Sequence, residues 1–140
     1  MIEKGIKGRQ ELTVTTELTA DKAGSGLLPV FSTPSMIALI EKTAWMSIAE
    51  KLDSGMGSVG TKLNVSHLAA TPLGMNVYCE TELVEVDGRR LVFSASVYDE
   101  KQKIGEGSHE RFIINNEKFM EKVLSKSPTP TQSVRGMEFL

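Results

Sequence analysis

At 140 residues the chain is long enough to bury one substantial core and too short for two independent folds of ordinary size. Sixteen basic against eighteen acidic residues leave a formal charge of −2, which supplies no global field to concentrate nucleic acid or anionic lipid. The single cysteine, Cys79, excludes an internal disulfide and every zinc motif built on two or more thiolates, and no stretch approaches the roughly 18 consecutive apolar residues of a membrane span, so the expectation is a soluble cytoplasmic protein without metal or cofactor.

In chain order, Glu11 to Thr19 alternates loosely and is rich in β-branched residues, which predicts a first strand ending before the Gly24 to Gly26 loop. Thr33-Pro34 supplies a capping residue followed by proline at the first helical position, and the helix it opens is expected to run to about Asp53, where Gly55 and Gly57 end it. Its main stripe is Ile37, Ile40, Ala44, Ile48 and Leu52, and a second apolar surface carries Leu39 and Met46, so the helix is predicted to be central. From Ser58 to Asn115 the pattern is antiparallel sheet: Thr61 to Ala70, a turn at Pro72 and Gly74, Met75 to Val86, an Asp87-Gly88 hairpin, Arg89 to Tyr98, a turn at Asp99 to Gln102, and Lys103 to Ile114. Gly105 and Gly107 mark a bulge or bend in the last strand. Asn116 to Leu124 is predicted as a short helix that closes a single domain of residues 1–124, and the Ser-, Thr- and Pro-rich segment 125–140 as a flexible tail. One apolar helix and one curved antiparallel sheet make an α+β core if the sheet wraps the helix, and dimerisation is a way to cover an exposed sheet edge.

Two ionisable residues stand out on faces that periodicity marks as apolar. His67 shares parity with Leu63, Val65 and Ala69, while Lys62, Asn64 and Ser66 point the other way; Glu41 lies inside the helix stripe at 100° per residue. A carboxylate there must be paired, neutralised or placed beside a polar cavity, because burying it alone is costly. A hydrogen-bonded core or interface histidine accounts for His67 equally well, and a backbone amide or a basic partner accounts for Glu41. Cys79 shares parity with Val77 and is expected to be a small core residue.

Taken together and in order, Phe31-Ser32-Thr33-Pro34 with Met36, Leu39-Ile40-Glu41, Val59-Gly60-Thr61, Val65-Ser66-His67, Ala69-Ala70-Thr71-Pro72 with Gly74, Glu85 through Leu91, and Gly105 through Arg111 resemble the fluoroacetyl-CoA thioesterase family of hotdog-fold proteins. The resemblance covers roughly Gly24 to Val123. It implies a long helix wrapped by a curved antiparallel sheet, a homodimer with two active sites at the subunit interface, and hydrolysis of an acyl-CoA thioester. Thr33, Glu41 and His67 match the family's catalytic group, with Gly60 at the acyl pocket or oxyanion region and Arg111 near the thioester. The chemistry is compatible: a carboxylate in an apolar site can be tuned for acid, base or nucleophilic work, and histidine moves protons near neutral pH. Thr33 is also a helix cap whatever the function, Gly60 is also a tight strand start, and Arg111 is also a candidate ion pair with Glu110. His109, on the parity of Arg111, is expected to be a partly exposed structural histidine without a catalytic role.

The resemblance also implies an aromatic lid before the central helix, whereas Gly24-Ser25-Gly26-Leu27-Leu28-Pro29 contains no aromatic residue. The expectation is therefore an acyl-CoA thioesterase for a short or branched acyl group rather than a fluoroacetyl specialist. The competing readings are a noncatalytic acyl-CoA-binding hotdog dimer and a hydroxyacyl-thioester dehydratase. Gly55 to Gly60 fits neither a dinucleotide fingerprint nor a phosphate loop.

Overall fold

The computed structural model describes residues 2–128. In chain order the elements are β1 (Lys7–Thr13), α1 (Ala20–Ala23), α2 (Thr33–Ile48), β2 (Met56–His67), β3 (Asn76–Asp87), β4 (Arg90–Asp99), β5 (Lys103–Asn115) and α3 (Asn116–Leu124), with single 3-10 turns at Thr16–Leu18 and Ala49–Lys51. All five strands pair antiparallel in the order β1-β3-β4-β5-β2, and α2 packs on one face of that sheet, which is the hotdog architecture expected from the sequence.

The core is the seam between α2 and the sheet. Met36, Leu39 and Ile40 meet Val77, Cys79, Val97 and Ile104 at one end; Ala44 and Ile48 meet Leu83, Leu91 and Phe93 at the other. Each large side chain fully removed from water here stabilises the fold by about 1.5–3 kcal/mol. Two glycines let backbone and helix approach this closely: a Cβ on Gly8 would sit 2.8 Å from Ser47 Cβ and the Thr43 carbonyl, and one on Gly105 would sit 2.6 Å from Met36 Sδ. Of the predicted stripe, Ile37 is only half-buried, and Leu39 is buried while Met46 stays exposed, so the two apolar surfaces of α2 are not equivalent.

Several boundaries differ from the pattern. The first strand is Lys7–Thr13 rather than Glu11 to Thr19, because pairing with β3 decides it, while Thr19 turns the chain by donating its hydroxyl to the Thr16 carbonyl and Asp21. The helix stops at Ile48 and tightens into a 3-10 turn before Leu52. Strand β2 begins at Met56, five residues before the predicted start, since Gly57 and Gly60 hide its alternation, and ends at His67. The β3–β4 pairing closes with Asp87 opposite Arg90, leaving Gly88-Arg89 as the hairpin loop with Gly88 at φ 61°, a conformation glycine adopts without strain. The bulge in β5 falls at Ile104, between the Val97–Gly105 and Tyr98–Lys103 pairs. Helix α3 matches its predicted span, and the predicted tail lies, from residue 129 onward, outside the described residues.

The placement of Gly60 and His67 follows from one further irregularity. Along β2, Gly60 pairs with Arg111 and Lys62 with Glu110, so Thr61 is an extra residue. A strand without it would put Gly60 and His67, seven positions apart, on opposite faces. The bulge restores both to the helix-facing side, together with Leu63, His109 and Arg111 across the ladder.

Candidate active site

Ser32, not Thr33, caps α2: its hydroxyl accepts the Ser35 backbone N–H at 3.1 Å, and Thr33 is the first helical residue with Pro34 behind it. The sequence reading of Thr33 as the cap is thereby corrected, and the correction frees its side chain. Thr33 Oγ1 lies 2.8 Å from His67 Nδ1, across from the end of β2. Phe31 presents its ring edge-on to the same imidazole at a centroid distance of 6.4 Å, and is itself held by its N–H donating to the Thr71 carbonyl. The imidazole Nε2 is buried and has no hydrogen-bond partner among the described residues. Burial holds the His67 pKa below the ordinary 6.5, so at neutral pH the ring is uncharged and available to take a proton. Beside this pair a cleft of about 360 Å³ is lined by Val30, Phe31, Thr33, His67, Leu68 and Ala69.

Glu41 belongs to a second cluster. Eight residues further along α2, about 12 Å by helical rise, its carboxylate lies 3.7 Å from Arg111 Nη1 and is 40% exposed, so it sits at a rim rather than in the core. Arg111 is only 6% exposed, and its guanidinium is fully engaged: Nε donates to Ser58 Oγ at 2.8 Å, Nη2 to the Ser58 carbonyl at 2.9 Å, and Nη1 to His109 Nε2 at 3.2 Å. His109 Nδ1 in turn donates to the Lys62 carbonyl at 3.0 Å. Both ring nitrogens are thereby assigned to one neutral tautomer, and burial, more than the neighbouring Arg111, lowers the His109 pKa. Desolvation lowers the Arg111 pKa as well, opposed by Glu41.

Gly60 is the floor of this second cluster. A Cβ there would lie 2.9 Å from Glu41 Oε2, 3.1 Å from His109 Cε1 and 3.3 Å from Arg111 Nη1, so any side chain displaces the carboxylate. Its residue type is dictated by close approach, not by backbone conformation, since its φ is not positive.

The five residues singled out in the sequence therefore form two groups within one chain: Thr33 with His67, and Glu41 with Gly60 and Arg111. His109 is buried, 1% exposed, where the sequence suggested partial exposure; its parity with Arg111 was the available signal. Ser58, which holds Arg111 through two contacts, went unmarked because it precedes the strand that alternation reveals. The Arg111–Glu110 ion pair considered from sequence is absent: neighbours in a strand face opposite ways, and Glu110 turns to Arg90 and Thr61 instead. Cys79 is a core residue whose thiol burial pushes up to about 11. Among the described residues no group of His, Cys, Asp and Glu is arranged to hold a metal ion, and no helix is long and apolar enough to cross a membrane.

Comparison with known proteins agrees with this architecture. Residues 14–117 match the family described as fluoroacetyl-CoA-specific thioesterase. The fluoroacetyl-CoA thioesterase of Streptantibioticus cattleyicolor is 44% identical over 99 residues, 71% of each chain. A solved structure of the fluoroacetyl-CoA thioesterase FlK superposes with a TM-score of 0.86 at 36% identity, covering 91% of this chain and 99% of that one. A thioesterase-superfamily protein of Thermus thermophilus, 24% identical, shares the fold with a TM-score of 0.83 over 95% of this chain and 98% of its own. The chain thus belongs to the fluoroacetyl-CoA-specific thioesterase family of hotdog-fold enzymes, and is an acyl-CoA thioester hydrolase.

Proposed function

We propose that the protein hydrolyses a small acyl-CoA, fluoroacetyl or acetyl, in a site completed by a second copy of the chain. The carrying observation is the separation of the two clusters. Gly60 and His67 lie about 20 Å apart along β2, too far for both ends to act on one carbonyl carbon from the same chain. β2 is also a sheet edge of 12 residues, flanked on α2 by the half-exposed Trp45 and Met46, which is the kind of surface that pairs with another strand. Antiparallel pairing of two β2 edges about a twofold axis near Leu63 and Asn64 brings Gly60, Glu41 and Arg111 of one protomer opposite Thr33 and His67 of the other.

In that site the carbonyl occupies the space that Gly60 leaves beside the Glu41 carboxylate. An oxygen nucleophile attacks the carbonyl carbon while neutral His67 takes its proton; the C–S bond then breaks, and His67 returns the proton to the departing thiolate. The 2.8 Å contact supports the Thr33 hydroxyl as nucleophile with His67 as its base; water oriented by Glu41 then attacks the acyl-Thr33 ester, its proton passing through His67 to the departing Thr33 oxygen. Direct attack by a water held on Glu41 is the second reading, supported by the rim exposure of that carboxylate. Thr33→Ala separates them: loss of turnover supports the covalent route, and retention supports the direct one.

The relatives' names make fluoroacetyl-CoA the first substrate to assay. The segment before α2 argues that acetyl-CoA is accepted as well, because Leu27, 92% exposed, and Leu28 stand there without an aromatic ring to close over the acyl group. The testing experiment mixes two inactive proteins. Glu41→Gln and His67→Ala chains, unfolded together and refolded at equal ratio, regain about a quarter of wild-type thiol release, since half the dimers carry one intact site. No recovery, with dimers verified by light scattering, would falsify the shared site.

A further inference from the structure

We propose that a hydrogen-bonded network on the outer face of the sheet, running Glu85–Arg90–Glu110–Thr61, positions the reacting residues on the opposite face by fixing the bulge in β2. Thr61, Glu110 and Arg90 are then positioning residues for hydrolysis, although none of them faces the substrate. The inference rests on the assignment of Gly60, Glu41 and Arg111 to the reacting site above, and it names what holds that site in register.

Topology is the first observation. Among the described residues β2 is an edge strand bonded to β5 alone, and that ladder is interrupted where Gly60 pairs with Arg111 and Lys62 with Glu110. The extra residue, Thr61, has no partner in the ladder, and an edge strand held from one side is where a shift of register meets least resistance. Loss of the bulge would put Gly60 and His67 on opposite faces and take Gly60 from its place against Glu41 and Arg111.

Side-chain bonds supply what the ladder omits. The Thr61 hydroxyl donates to Glu110 Oε2 at 2.9 Å, with the Glu110 carbonyl 3.2 Å away. The other carboxylate oxygen, Oε1, accepts from Arg90 Nε at 2.5 Å, and Arg90 Nη1 donates to Glu85. Hydrogen bonds from Arg90 first and Thr61 second hold the Glu110 pKa below its ordinary value, so at neutral pH the carboxylate is a charged acceptor for both. From the inner face, the His109 ring donates to the Lys62 carbonyl at 3.0 Å. The bulge is thus gripped from both sides of the sheet, and Glu110 stands between His109 and Arg111, which face inward.

Strand pairing explains why one arginine can do this. Val92 of β4 lies opposite Glu85 of β3 and opposite Glu110 of β5, so the two carboxylates flank one position, and Arg90, two residues along the same face, reaches both. Glu85 itself follows a second extra residue, Val84, between the Leu83–Phe93 and Glu85–Val92 pairs. Arg90 therefore ties the two bulged strands together across the sheet. Exposed ion pairs of this kind contribute little to global stability, and the Arg90 and Glu85 side chains are 36% and 53% exposed, so the effect of the network falls on local register.

The test compares three variants of the full chain, each verified as folded at the assay temperature by thermal melting. Thr61→Val removes the hydroxyl and keeps a β-branched shape, Glu110→Leu removes both side-chain bonds, and Thr61→Ser keeps the hydroxyl. With the faster of fluoroacetyl-CoA and acetyl-CoA, kcat is expected to fall about tenfold in the first two while KM stays within about twofold, and Thr61→Ser is expected to restore kcat. Backbone amides of residues 58–64 should exchange with deuterium faster in the two impaired variants than in the wild type. Turnover per folded molecule within about twofold of wild type in Thr61→Val or Glu110→Leu overturns the proposal, as does a loss of kcat without faster exchange. The site reading fails by a different result: if Glu41→Gln turns over like the wild type, the network positions nothing reactive, whereas loss in Glu41→Gln with retention in Thr61→Val sinks the positioning role alone.

Discussion

The two ends of the α2–β2 face are built to different tolerances. At the Thr33–His67 end, the imidazole has one hydrogen bond, to an exposed hydroxyl, and looks onto a cleft. At the Glu41 end, Arg111 is sealed beneath the strand by Ser58 and His109, and only the carboxylate reaches the rim. The group proposed to exchange protons is loosely held, whereas the cation beside the Glu41 carboxylate makes a contact through each of its three guanidinium nitrogens. The contrast predicts that substitutions at the first end change rate without stability, and substitutions at the second change both.

The largest effect is expected from removing the proposed proton carrier, His67, or the carboxylate proposed to orient water, Glu41. His67→Ala lowers kcat by about 10² or more, as loss of a general acid or base does, with the melting temperature nearly unmoved, whereas Glu41→Gln lowers kcat comparably and also lowers the melting temperature, because it removes the partner of Arg111. Thiol release and thermal melting on the same preparations check it. Near-wild-type turnover in both variants would remove them from the chemistry.

Arg111→Ala tests the sealed end. It strips three hydrogen bonds from Ser58 and His109, and is expected to cost about 2–4 kcal/mol in urea unfolding together with a tenfold or greater loss of kcat/KM. His109→Gln keeps a polar group beside Arg111 and should fall between that variant and the wild type. A stable Arg111→Ala protein would mean that the buried guanidinium is a strain on the fold.

Acid reports on both ends at once. His67 and His109 have folded pKa values below the ordinary 6.5, burial being the leading cause in each. Between the folded and unfolded values the unfolded chain binds more protons, so stability is full above about pH 6.5 and declines as pH falls below it. The acid limb of kcat/KM, which follows His67 alone, should have its midpoint below 6.5 and persist in His109→Gln, whereas the pH dependence of melting should become shallower in that variant. A kinetic limb above 6.5 contradicts a desolvated His67.

The smallest effect separates neighbours. Ser32→Ala removes the cap and should cost about 1 kcal/mol with kcat retained, while Thr33→Ala should cost less in stability and much more in rate. Equal losses in both properties for the two variants would mean that Thr33 serves the helix rather than His67.

Much of this was legible because periodicity survives wherever a face is buried. The last three strands and α3 follow their patterns to within one or two residues, and Glu41 and His67 were visible as polar residues on apolar faces. What alternation conceals is set by contacts between distant residues. The Thr61 bulge switches parity inside β2, so the first half of that strand, with Ser58 and Gly60, does not follow the rhythm of its second half. Ser32 and Thr33 carry equivalent hydroxyls, and the backbone, extended at Ser32 and helical from Thr33, decides which one caps. Separation of the site into two clusters is likewise a property of helix length and strand length together, which no local motif records.

Cys79 gives the protein an experimental consequence of its own. Its thiol is fully buried and pushed up to about 11, so the thiolate that disulfide reagents require is scarce and shielded while the chain is folded. Native enzyme therefore contributes no background to a colorimetric count of released coenzyme A, and every equivalent of colour in the absence of substrate registers an unfolded molecule. One reagent in one cuvette thus reads turnover as a steady slope and denaturation as a step of a single sulfur per chain.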